Sequence, residues 1–263
     1  SINSHETSAS VAAADALIDS LDAGLRTKAL LPMTSDEWAK WSNLPPSPDY
    51  AGVRLADLSE AQLKLAFTLM ATSISKEGFH KVKGIMLGDD LLVRGDGNQG
   101  QMRFGADNYW LIIFGRPDAA KPWGWQLDGH HLGLNVSIAG ERSTIAPSFI
   151  GTQPADIVWN GSDSYTPMKG EVALAYELIN SLNAEQRSKA VRGARRQNID
   201  AGPGQDNTIP DLEGIAGSDL SSQQREKLLE LISEWVRIHE PKESARRLKE
   251  VASDITKTRL AWY

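Results

Sequence analysis

The sequence predicts an α+β fold: an antiparallel sheet of Gly/Trp-rich strands spanning about residues 85–159, flanked by N- and C-terminal helices. Three observations predict it. Apolar residues recur at three- and four-residue spacing over residues 11–30, 59–74, 171–196, 221–239 and 243–257, the period of a helix with one buried face. Between these stretches the chain turns rich in Gly, Trp, β-branched residues and turn formers, with strand-like runs at 109–114, 123–127, 132–138 and 144–150. A length of 263 residues with 41% hydrophobic content is enough for one sizeable core, so a single domain over 1–263 is expected, helical over 11–74, mainly β over 85–159 and helical over 171–258.

The helical parts carry an internal likeness. Leu17-Ile-Asp-Ser-Leu-Asp-Ala matches Leu178-Ile-Asn-Ser-Leu-Asn-Ala at an offset of 161, and both stretches continue to Arg-x-Lys-Ala. Gly52-Val53 with Asp57-Leu-Ser-Glu-Ala-Gln62 matches Gly214-Ile215 with Asp219-Leu-Ser-Ser-Gln-Gln224 at an offset of 162. Each second match is a Ser-x-x-Gln capping box, which ties two of the free amides of a helix start. Shared cap chemistry alone can make helix starts look alike. Two matches in order and at equal spacing predict more, a duplicated helix pair over 17–74 and 178–236. The Gly- and Trp-rich strands follow the first copy, and a corresponding sheet segment is expected after the second.

Composition narrows the function classes. A net charge of −6 and a pI near 5.4 leave no concentrated cationic surface for a phosphate backbone, so no nucleic-acid partner is expected. No apolar run approaches the length that crosses a bilayer, so a soluble protein without a transmembrane segment is expected. The absence of cysteine removes disulfides, thiolate metal sites and cysteine nucleophiles. A polar stretch from Ser1 to Ser10 suggests a processed terminus and an extracytoplasmic location after removal of a signal peptide.

Several motifs carry little. Gly95-Asp-Gly-Asn-Gln-Gly100 has dinucleotide-loop spacing, but Gln101-Met-Arg-Phe does not open the helix that loop requires, so a hairpin turn is expected. There is no Walker loop, G-x-S-x-G elbow or H-E-x-x-H. The basic run 187–196 reads as a solvated helix face.

The segment with most chemistry is Trp123-Gly-Trp-Gln-Leu-Asp-Gly-His-His-Leu-Gly-Leu-Asn135. Imidazole is both a metal ligand and a base near neutral pH, and a nearby carboxylate can fix its tautomer. His130 and His131 are therefore the candidate metal ligands for a divalent ion, zinc or another transition metal, and with Asp128 the candidate catalytic groups. Asn135 would offer a polar contact, and Trp123 and Trp125 would wall a ligand pocket. A regular strand sends consecutive side chains to opposite faces, so only one histidine would face the site unless Gly129 makes a bulge. A metal also needs three or four ligands, so remote residues must complete the set. Three readings follow. One is a metal-dependent enzyme, preferably a hydrolase, acting on a small molecule. Another is a non-catalytic small-molecule or carbohydrate binding protein with a Trp-walled pocket. The third is an interaction module in which Gly-His-His is a structural corner.

At these residues the chain resembles the uncharacterised family catalogued as domain of unknown function 3500. The likeness rests on Trp41 with Pro45-Pro46, Leu58-Ser59 with Gln62, Phe114-Gly115-x-Pro117, Trp123-Gly-Trp-x-Leu-x-Gly-His-His-Leu, and Pro147-x-Phe-x-Gly-x-x-Pro154. Gln186-Arg187 in the second helix pair fits as well. The family implies no settled activity. It places Ser where this chain has Gly133, and it implies a continuation beyond Leu260-Ala-Trp-Tyr263 into a Tyr-rich strand with a His-x-His motif, whose histidines would be the missing ligands.

Overall fold

The computed structural model describes residues 4–45, 50–94, 103–159, 161, 163–193, 199, 201–205, 208 and 211–263. The Gly95–Gly100 motif, Pro46, and Arg195 and Arg196 of the basic run lie outside the described residues. The chain divides into two compact units, Ser1–Pro167 and Met168–Tyr263.

In the first unit the expected helix over 11–30 is two helices, α1 (Ser4–Ser20) and α2 (Ala23–Ala29). The break has a local cause. Asp22 takes extended backbone and its side chain accepts from the Leu25 amide at 2.9 Å, so it starts a new helix rather than continuing the old one. After β1 (Leu30–Leu31) and β2 (Val53–Arg54), Ser59 caps α3 (Glu60–Ser73) with the predicted box: Gln62 N–H donates to Ser59 Oγ and the Ser59 amide to Gln62 Oε1. α3 packs on α1.

The sequence reading placed residues 85–94 at the start of the sheet region; they are helical instead, the second half of the 19-residue α4 (Lys76–Arg94). Its glycines disguise it, because glycine disfavours a helix interior by about 1 kcal/mol each. Here they serve close packing. A Cβ on Gly84 would lie 2.2 Å from the Tyr165 ring, and one on Gly88 would lie 3.2 Å from Ile157, so both are needed where a small hairpin, β7 (Ile157–Trp159) and β8 (Asp163–Tyr165), sits on the helix.

The sheet itself follows prediction: β3 (Trp110–Phe114), β4 (Trp123–Gly129), β5 (Leu132–Ala139) and β6 (Arg142–Ile150) form an antiparallel meander. β1 and β2 extend it to six strands, β1 parallel to β3 through Leu30↔Ile113 and β2 antiparallel to it through Val53↔Leu111. Alternation along β4 sends Trp123, Trp125 and Leu127 to one face and Gly124, Gln126 and Asp128 to the other. Both faces are buried. Trp38, Trp41 and Tyr50 cover the second: Trp38 stacks on Phe114 at 3.9 Å, Tyr50 meets Trp110 edge-on, and Trp41 lies over Gly133, where a Cβ would be 2.8 Å from its ring. A side chain at position 133 would have to displace the Trp41 ring.

The second unit repeats several of the bonds of the first helix pair. α5 (Lys169–Ser181) and α6 (Ala184–Ala190) are separated by the cap residue Asn183, as Asp22 separates α1 and α2. Then come β9 (Ile215–Ala216), α7 (Ser222–Val236), α8 (Pro241–Ser253) and β10 (Arg259–Leu260). Gln224 Nε2 donates to Ser181 O at 2.9 Å, the counterpart of Gln62 Nε2 to Ser20 O at 2.8 Å. Arg187 donates to Ile179 O as Arg26 does to Ile18 O. β10 stands in the place of β3, since Ile215↔Leu260 repeats Val53↔Leu111 and the parallel bridge Val191↔Trp262 repeats Leu30↔Ile113. The core of this unit is Leu178, Ile179, Leu182, Ala190, Ile215, Leu220, Leu228 and Leu231. Arg187 of the basic run is thus a structural tie, while Arg192 is exposed. No helix among the described residues is long and apolar enough to cross a membrane.

Candidate functional site at the histidine turn

The β4–β5 ladder is regular from Trp123↔Ile138 to Gly129↔Leu132, so Gly129 makes no bulge and His130-His131 is the two-residue turn joining the strands. Strand alternation therefore does not apply to them. Such turns need a left-handed residue, and His131 takes that role at φ +61, a conformation more usual for glycine or asparagine. The two rings lie 4.0 Å apart, centroid to centroid, on the same side of the turn. The turn is clamped by its own backbone: the His131 amide donates to Asn43 O at 2.9 Å, and the Gly151 amide donates to His131 O at 2.8 Å.

His130 is 5% exposed, and its Nδ1 lies 2.6 Å from Asp89 Oδ1. The carboxylate oxygen accepts, so Nδ1 donates to Asp89 and Nε2 is the ring nitrogen left for proton transfer. Asp89 is itself 2% exposed and is held by the Gly105 amide, which donates to Oδ2 at 3.0 Å. Two further contacts fix the imidazole. The Tyr109 hydroxyl donates to His130 O at 2.9 Å, and the Phe104 ring meets His130 edge-on at 4.8 Å. Burial, with the Asp89 and Asp90 charges, pushes the Tyr109 hydroxyl well above the ordinary tyrosine range, so it remains a donor.

His131 is half-buried and its Nδ1 has no hydrogen-bond partner among the described residues. Burial and the neighbouring His130 lower its pKa from 6.5, against opposing pulls from Asp89 and the Thr152 backbone, so His131 favours the neutral form.

The other predicted site residues are placed elsewhere. Asp128 points to the opposite face of β4 from the Trp123 and Trp125 rings, and the carboxylate on His130 is Asp89 rather than Asp128. Asn135, fully buried, accepts from Gln126 Nε2 and donates to Pro147 O at 3.0 Å, beside the β5–β6 irregularity between Leu134 and Val136. Trp123 and Trp125 are 0% exposed, so neither ring offers a face to a ligand from solvent. Among the described residues no three His, Cys, Asp or Glu side chains gather to hold a metal ion. The two imidazoles alone fall short of a ligand set.

Asp89 is the residue that sequence reasoning missed, because the helix bearing it was missed. A signal existed: Val82, Ile85, Met86 and Asp89 share one buried helix face.

A family model described as "Protein of unknown function (DUF3500)" matches residues 3–263, essentially the whole chain. The chain belongs to this family. Its Gly-His-His segment is thus the turn just described, and the Trp41 and Gly133 positions meet in one contact. No curated protein and no solved structure matches the DUF3500 chain.

Proposed function

We propose that the protein is a hydrolytic enzyme whose general base is His130, positioned by Asp89. The buried Asp89–His130 pair at 2.6 Å supports this reading more than any other observation. A carboxylate behind Nδ1 holds the ring in one orientation, fixes the tautomer and stabilises the imidazolium formed when Nε2 takes a proton. A water molecule at Nε2 would lose its proton to the ring as it attacks an electrophilic carbon or phosphorus of a small substrate. His131 adds a second imidazole, its ring centroid 4.0 Å from that of His130, close enough to hand a proton on to the leaving group. A purely structural corner has no need of an ionisable pair, and it would favour glycine or asparagine at φ +61.

Turnover of a panel of chromogenic carboxylic, phosphoric and glycosidic esters by wild type, Asp89→Asn and His130→Gln tests the proposal. The expected result is hydrolysis of at least one substrate, with a loss on the order of 10²–10⁴ in kcat for His130→Gln and a smaller loss for Asp89→Asn. Equal rates in all three proteins would reject the base assignment. Elemental analysis of the same preparations separates the metal-dependent alternative: a stoichiometric transition metal present in wild type and lost in His130→Gln would make His130 a ligand instead.

A further inference from the structure

The opposite face of β4 holds a second set of polar groups that the histidine turn does not use. Asp128 is 8% exposed, and its Oδ1 is buried without a hydrogen-bond partner among the described residues. An orphaned buried carboxyl oxygen is costly and calls for a partner. It lines a small cleft of about 110 Å³ with Glu37, Lys40, Tyr50, Ile112 and Gln126, room for several waters or one small organic molecule.

The lining is selective. Gln126 uses its amide hydrogens on Trp38 O and Asn135 Oδ1, leaving its carbonyl oxygen as an acceptor. The Tyr50 hydroxyl lies 2.5 Å from Ser42 Oγ and donates to Leu44 O, so its proton is engaged. Lys40 is the one cation among these lining residues, and its ammonium is paired with Glu37 at 2.6 Å. What remains is acceptor-rich, with the Asp128 oxygen buried beside the carbon wall of Ile112 and Ala51. Two carboxyl groups face a single ammonium in this lining, so the complement is a cationic donor with a short carbon tail.

We propose that this cleft is a binding site for a small primary amine in its ammonium form, with Asp128 Oδ1 as the principal acceptor. The ammonium would supply the missing partner of Oδ1, and a tail of two or three carbons would lie against Ile112 and Ala51. Divalent cations are a poorer fit, because Glu37 is already paired and one free carboxyl oxygen does not make a coordination shell.

Calorimetric titration with ethylammonium chloride tests this, with glycerol as a neutral donor of similar size. Wild type is expected to bind ethylammonium saturably and glycerol at least tenfold more weakly. Asp128→Asn keeps the shape and is expected to weaken ethylammonium at least tenfold. Ala51→Leu, which fills the cleft without touching Asp128, is expected to do the same. His130→Gln, at the turn, is expected to bind as wild type does, which separates this site from the hydrolytic one. No saturable binding, equal affinity in Asp128→Asn, or equal binding of glycerol would overturn the assignment.

Discussion

His131 shows how one side chain can be placed against its own preference. A non-glycine residue at φ +61 is less stable than glycine or asparagine by about 1–2 kcal/mol, and this one also keeps a buried, unpartnered ring nitrogen. His131→Asn should therefore raise stability, by about 1 kcal/mol at neutral pH, while impairing any proton transfer through the turn. The pH dependence has a definite sign. Burial lowers the folded-state pKa below the ordinary 6.5, so the unfolded chain binds the proton more readily and native stability falls as pH drops through and below 6.5. The stability gap between His131→Asn and wild type should widen on acidification from pH 7.5 to 5. Urea denaturation at several pH values measures it, and a gap that stays constant would contradict the assignment. Asp128 presents the opposite case, a carboxyl pushed well above 3.8 by burial and only partly relieved by the Ser42 backbone. Burial disfavours its charged form, and an ammonium beside Oδ1 would offset that penalty.

At the scale of elements, α4 connects the site to the rest of the fold. It carries Asp89 to His130 and Asp90 to the Ala106 amide at 2.7 Å, so its last turns organise both the histidine turn and the chain leading into β3. Its glycines obey the packing of β7 and β8 rather than helix propensity. Gly84→Ala should then destabilise the protein although alanine is the better helix former by about 1 kcal/mol, because its Cβ would fall 2.2 Å from the Tyr165 ring. A thermal melt showing a rise in Tm for Gly84→Ala would mean that the hairpin does not sit on α4 as described. The periodicity of Val82, Ile85 and Met86 is legible in the sequence; the glycines obscure the helix, and with it the carboxylate partner of His130.

The whole molecule is written with one helix-pair plan twice. Its least obvious mark is a glycine before each short strand: Gly52 at φ +100 and Gly214 at φ +83. Each crosses the equivalent carbonyl. A Cβ on Gly52 would lie 2.8 Å from Leu111 O, and one on Gly214 would lie 2.0 Å from Leu260 O. Gly52→Ala and Gly214→Ala should each cost about 1–3 kcal/mol or more through left-handed backbone and backbone contact together. Chemical denaturation of the two variants checks this, and tolerance at either position would remove that position from the shared plan.

The sequence by itself determined the α+β class, four of the sheet strands, the capping boxes at Ser59 and Ser221, and the repeated helix pair, because period, cap chemistry and turn residues act over a few neighbours. It also marked Gly-His-His as the unusual segment and matched the family that the chain belongs to. Only the tertiary structure decided what that segment is. Whether His130 and His131 lie in a strand or a turn depends on where the β4–β5 register closes, which the whole ladder from Trp123↔Ile138 to Gly129↔Leu132 sets. The partner of His130 is 41 residues away on a helix that local propensity hides, while Asp128, two residues away in sequence, stays in the strand and lines a separate cleft.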